Sequence, residues 1–235
     1  MQQIRPEMLF EKLFSEFGAQ KWWPVTDTDS ITPTYKQRKR LTGQQKFEIC
    51  VGAILTQNTA WTNVSKALEQ LNKSRMLSCR AIAKAKHKKL AVLIRSSGYY
   101  NQKALRLKNF SKYLEKNYNC SIEKLLAKPL AELRKELLSL NGVGKETADS
   151  IILFAAGKPV FVVDAYTKRL AERLKLHGKF DYDSLQEFFD GALQKDARLF
   201  NEFHALIVRQ CKENCKKKPA CENCCLKLDC AFRSQ

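Results

Sequence analysis

Three groups of residues in this chain have types and spacings that could do chemistry. The first is LNGVGKETAD, where Gly142 and Gly144 lie two positions apart between apolar-periodic segments. Glycines let a backbone bend tightly and let a ligand come close. Exposed N–H groups of such a turn, with the dipole of the helix it opens, suit an anion such as a backbone phosphate. An ordinary helix–helix turn with a glycine cap reads equally well from these residues alone. Lys145 and Glu146 follow directly. The second is Asp164, twenty residues beyond Gly144, closing the apolar run FVVD before a helix. An acid there is commonly an N-cap. The third is the tail, where six of nine cysteines fall between Cys211 and Cys230. Cys215-x5-Cys221-x2-Cys224-x5-Cys230 offers four thiolates, which suit a [4Fe–4S] cluster or a structural zinc. Cys211 and Cys225 are spare, and either could substitute as a ligand. Clustered cysteines in an intracellular chain point to metal rather than disulfides. Cys50, Cys79 and Cys120 stand apart and read as packing residues.

Charge narrows the partners. Against 24 acidic residues stand 42 Lys and Arg, a net charge of +18. An excess of that size attracts polyanions, and nucleic acid is the first candidate. No run of eighteen apolar residues occurs, so no membrane span is expected. The start, MQQIRPEMLFEKLF, lacks the apolar core of a signal peptide. These features predict an intracellular protein, in the cytoplasm or nucleoid.

The elements that must position these groups read as helices almost throughout. EMLFEKLFSEF carries one apolar stripe and stops at Gly18. Residues 24–45, with Pro24, Pro33, Gly43 and the basic run KQRKR, read as a long loop. KFEICVGAILTQ is apolar nearly all round and reads as a buried helix. TNVSKALEQL follows, with Thr62 as its cap. Residues 81–95 and 101–117 read as two basic amphipathic helices around SSGYYN. Pro129 opens PLAELRKELLSL, and after NGVG comes KETADSIILFAAG. KPVFVVD is too short for a sheet of its own. Helices are read in AYTKRLAERLKL, DSLQEFFDGALQK and ARLFNEFHALIVRQ. The predicted class is all-α.

With these motifs in order, LNGVGKETAD…VVDAYTKR resembles the helix-hairpin-helix and catalytic-aspartate region of the endonuclease III superfamily of DNA glycosylases. The resemblance covers nearly the whole chain. FEICVGAILTQNT is similar to the superfamily's buried helix and following DNA-contact turn, GYYNQKA to its duplex-wedging loop, and the tail to its iron–sulfur loop. That loop is usually Cys-x6-Cys-x2-Cys-x5-Cys, so the first cysteine here is displaced by one. The resemblance favours the cluster over zinc. It implies two lobes, a six-helix lobe over 20–158 and a second over 1–19 plus 159–235, with double-stranded DNA carrying a damaged base as partner. It implies DNA contacts from Gly142, Gly144 and Lys145, and filling of the space left by an extruded base from Tyr99 and either Gln57 or Asn58. The protein is expected to act as a monomer.

One departure is informative. Bifunctional members carry a Schiff-base lysine at the second residue after the last hairpin glycine. Here that residue is Glu146, and Lys145 is turned from it by about 100° on a helix. Asp164 is then left to stabilise an oxocarbenium-like transition state and orient water. AQKWWPV with KFEICVG is similar to the monofunctional 3-methyladenine DNA glycosylase III type. That resemblance puts Trp22, Trp23, Pro24 and Phe47 in the base pocket, with Glu146 nearby. Aromatic faces favour a cationic alkylated purine by roughly 0.5–2 kcal/mol per contact. The rival readings are a uracil or mismatched-thymine glycosylase, a glycosylase with lyase activity, and a non-catalytic DNA-structure binder.

Overall fold

The computed structural model describes residues 4–232. Every regular element among them is helical, and the only strand-like pairing is a single antiparallel bridge between Val25 and Thr34. The chain divides into two compact units, Trp23–Lys158 and the described parts of Met1–Trp22 with Pro159–Gln235.

In Trp23–Lys158 the helices are α1 (Gly43–Leu55), α2 (Trp61–Lys73), α3 (Cys79–Lys84), α4 (His87–Leu93), α5 (Tyr100–Tyr118), α6 (Ile122–Leu126), α7 (Leu130–Leu138) and α8 (Lys145–Ser150). α8 widens into a π turn over Ile151–Ala155. α1 is the axis of this unit, buried from Phe47 to Leu55. Its start lies three residues earlier than the apolar pattern predicts. Thr42 and Gln45 form a capping box there, each side chain bonding the other's backbone N–H. The segment before it is less open than its polarity suggests. Asp27 accepts from Arg38 at 2.7 Å and from Lys36 at 2.8 Å, which fastens the basic run back onto the bridge.

Three local expectations are corrected. α2 is capped by Ala60, not Thr62, and has no side-chain cap bond; burial of Trp61 sets where it begins. Residues 81–95 are not one helix. Ser78 caps α3 through the N–H of Ala81, the chain breaks at Ala85, and α4 and a 3-10 turn at Arg95–Ser97 follow. Cys79 and Cys120 are not solitary. They form a disulfide joining the start of α3 to the turn after α5, with Cα atoms 5.7 Å apart. Cys50 is a buried packing residue.

The second unit holds αN (Pro6–Phe17), which precedes α1 in the chain, and α9 (Ala165–Leu174), α10 (Tyr182–Ala192) and α11 (Ala197–Glu213). αN packs on α11 and α10. Phe161, buried in the extended run before α9, stacks on Phe189 at 4.3 Å and meets Phe200 and Phe203 edge-on. This aromatic cluster fixes the residues leading to Asp164.

Candidate functional site

The hairpin lies between α7 and α8. Gly142 has φ +87°, a conformation that disfavours side chains. A Cβ there would lie 2.5 Å from Cγ of Arg106. Gly144 caps α8 without a side-chain cap bond, and a helix start leaves its first N–H groups without intrahelical acceptors. Gly144, Lys145 and Glu146 are all exposed. Beneath the turn, Arg134 of α7 makes a two-pronged bond to fully buried Asp149 of α8, Nε to Oδ1 at 2.7 Å and Nη2 to Oδ2 at 3.0 Å. This fork fixes the angle between the two helices.

Two further turns belong to the same unit. After α1, Gln57 and Asn58 have different surroundings. Gln57 donates to the carbonyl of Gly142 and to Oγ1 of Thr147, both at 2.9 Å, and accepts from Arg106. Its amide therefore braces the hairpin. Asn58 is exposed, in the left-handed region at φ 54°. Before α5, Gly98 and Tyr99 both have positive φ, and Tyr99 is 69 % exposed. The geometry thus separates the two candidates that the sequence leaves together.

The aromatic segment is also divided. Trp23 is a core residue, edge-on to Trp61 at 5.1 Å, 5.2 Å from Phe154, and laid over Gly52, where a Cβ would stand 3.0 Å from its ring. Pro24 is buried and Trp22 is half-buried. Phe47 stands on a different face of α1 from Gly52, about 140° away at 100° per residue. Its ring stacks on Phe110 at 6.3 Å. Trp23 and Phe47 are therefore not brought to one surface of α1. Glu48, beside Phe47, reaches back to the segment. Its carboxylate accepts from Thr26 N–H at 3.1 Å and Thr26 Oγ1 at 2.8 Å. Burial raises its pKa to about 7 against those bonds.

Asp164 caps α9. Oδ1 accepts from Thr167 N–H at 2.7 Å and Thr167 Oγ1 at 3.0 Å. Oδ2 lies 3.6 Å from Nε2 of buried His204 on α11. Burial pushes this carboxyl up, but His204 and the Thr167 donors outweigh it, and its pKa is held below the ordinary value. The cap reading of the sequence thus holds for Oδ1, while Oδ2 faces His204.

Four tail cysteines are among the residues that line one cavity of about 380 Å³. Cys215, Cys221, Cys224 and Cys230 line it, and Cys211 and Cys225 do not line it among the described residues. Side-chain donors aim at the sulfurs, with Arg173 Nη1 3.2 Å from Cys215 Sγ and Gln210 Nε2 3.0 Å from Cys224 Sγ. Arg173 also bonds the carbonyls of Lys216 and Lys217 and stacks on Phe232. No three metal-ligating side chains among the described residues converge closely enough for a single ion. Cys211 directs its thiol at the Tyr166 carbonyl, and Cys225 directs its own at Gln210.

With every described element helical and two helices joined by a tight glycine turn, the protein is of the helix-hairpin-helix class. Residues 51–194 match the model of the HhH-GPD superfamily base excision DNA repair proteins. A Methanocaldococcus jannaschii protein described as a DNA repair glycosylase is 43% identical over 94% of both chains. The endonuclease III of Thermotoga maritima is 30% identical over 79% of this chain and 83% of its own length. Among solved structures, H. pylori 3-methyladenine DNA glycosylase bound to 1,N6-ethenoadenine superposes with a TM-score of 0.71. It is 30% identical, covering 89% of this chain and 98% of that one. A trapped endonuclease III–DNA covalent intermediate gives 0.74 at 21% identity, over 96% and 93%. This chain belongs to the HhH-GPD superfamily of base excision DNA repair glycosylases. No helix among the described residues is long and apolar enough to cross a membrane.

The sequence reading missed Arg106, Arg134, Asp149, Thr147 and His204. Of these, Arg134 and Asp149 carried a faint signal, opposite charges fifteen residues apart on either side of a tight turn.

Proposed function

We propose that this glycosylase is monofunctional, hydrolysing the N-glycosidic bond of an extruded, alkylated purine and leaving an intact strand with an abasic site. The observation that carries the reading is Glu146. It occupies the second position after Gly144, exposed on the first turn of α8, where an amine nucleophile would be required for strand cleavage. The similarity to a 3-methyladenine glycosylase at 30% identity supports the substrate class.

In this reading the hairpin N–H groups and Lys145 hold backbone phosphate, and Asn58 and Tyr99 occupy the space left by the base. Trp23 anchors its segment in the core, so the aromatic face offered to a base falls to Trp22. Pro24 stiffens the segment, and Phe47 shapes the neighbouring face of α1. An N3- or N7-alkylated purine is already cationic and leaves as a neutral base. As the C1′–N bond breaks, positive charge develops on the sugar, and the Asp164 carboxylate stabilises it. Water then adds to C1′ and its proton passes to solvent through the carboxylate. Asp164 suits this role because it stays ionised at neutral pH.

The four-thiol cavity fits a [4Fe–4S] cluster held by Cys215, Cys221, Cys224 and Cys230. Bound there, the group would crosslink the tail by thiolate ligation and hold Lys216, Lys217 and Lys218 outward for phosphate. About four iron per chain is the expected content, and stoichiometric zinc in colourless protein would refute the assignment.

A second reading, a glycosylase with lyase activity, is favoured by Lys145 and by the endonuclease III relatives. Duplexes carrying 3-methyladenine or 7-methylguanine, uracil, or thymine opposite guanine separate the specificities. Release confined to the alkylated purines is expected; release confined to uracil or thymine overturns the substrate class.

A further inference from the structure

One buried cation is left unused by this chemistry. Lys103, on the first turn of α5, is 1 % exposed, among the largest fully buried side chains of the protein. Its Nζ donates to the carbonyl of Leu55 at 2.8 Å and to the carbonyl of Ser97 at 2.6 Å. Leu55 is the last residue of α1, directly before the turn that presents Asn58. Ser97 directly precedes Gly98 and Tyr99, the pair held at positive φ. Burying an amine this deeply is costly unless its donors are used. A Met or Leu here would pack the same space without that cost, so packing alone does not account for lysine. Burial and neighbouring Arg106 depress its pKa to about 8. Even the neutral amine keeps two donors, enough for both carbonyls.

Arg106, one turn further along α5, continues the pattern. It bonds Oε1 of Gln57, whose amide holds Gly142 and Thr147. α5 therefore fastens three turns of one unit through two side chains.

We infer that Lys103 is a positioning residue for base extrusion, setting the spacing between the Asn58 turn and the Tyr99 loop, with Arg106 carrying the same register to the hairpin. The inference rests on the proposed wedge roles of Asn58 and Tyr99. It concerns a side chain that touches no DNA.

Lys103→Met keeps length and burial but removes both bonds. Its test uses the full chain and a duplex with one alkylated purine beside 2-aminopurine. Expected are salt-dependent binding of undamaged duplex within about threefold of wild type, loss of most of the 2-aminopurine fluorescence rise, and at least a 30-fold slower single-turnover release. Added to Tyr99→Ala, Lys103→Met should cause little further loss, because both variants remove the same wedge. If Lys103→Met does not fold, Arg106→Leu is measured by the same three readouts and is expected to slow release while sparing binding of undamaged duplex. Wild-type fluorescence and rate in the variant that folds, or full additivity with Tyr99→Ala, would overturn the inference. An inactive wild-type protein would instead overturn the proposed function, which keeps the two failures distinct.

Discussion

The two oxygens of Asp164 have different surroundings. Oδ1 caps α9 through Thr167, and Oδ2 faces His204 at 3.6 Å. Asp164→Asn retains an oxygen for the cap and removes the charge. Base release should fall by about two to four orders of magnitude while duplex binding is kept or tightened, read by single-turnover kinetics and anisotropy. Unchanged release would reduce the carboxylate to a cap. Its lowered pKa gives a stabilising contribution present above the unfolded value and lost only as pH falls through the folded one. Glu48 has the opposite sign. With its pKa raised from 4.5 to about 7, the folded state retains a proton that the unfolded chain has released. Its effect is most favourable below 4.5 and is lost as pH rises toward 7. Glu48→Gln should flatten that part of the stability–pH curve, measured by denaturant melts between pH 4.5 and 7.5. The place of Asp164 was legible as the end of an apolar run before a helix. His204 was not, because it stands on a different helix, far along the chain from Asp164. Nor did the sequence separate Gln57 from Asn58, since only folding shows which amide the hairpin uses.

At the scale of elements, the hairpin depends on an ion pair it does not display. Arg134→Met removes the two-pronged bond from the fully buried carboxylate of Asp149. Loss of one partner of such a pair costs about 3–5 kcal/mol. Thermal unfolding should show that loss, with weaker binding of undamaged duplex as the turn relaxes. A change below about 1 kcal/mol would mean that Asp149 is held by other donors. Helix identity was mostly readable from apolar spacing, since a stripe of Leu, Ile and Phe has few other uses. Boundaries were less so. Thr62 is a good cap by type, yet α2 begins at Trp61 because that ring packs against Trp23. The basic periodicity of 81–95 continues through the break at Ala85, so spacing alone merged two helices. The Cys79–Cys120 disulfide joins residues 41 apart and has no local signature.

For the whole molecule, net charge and chemistry have separate roles. The excess of 42 basic over 24 acidic residues predicts duplex binding whose affinity falls steeply with salt, whatever base is present. Under the proposed function, selectivity comes from the extruded base and strand integrity from the identity of residue 146. The most direct measurement is borohydride treatment of wild-type protein turning over a duplex with one alkylated purine, with released base and strand length followed in the same reaction. Monofunctional hydrolysis gives free base, no covalent protein–DNA adduct, and strands that break only after alkali or heat. Adduct formed by the wild-type protein and abolished in Lys145→Ala, with strands nicked before alkali, would contradict it.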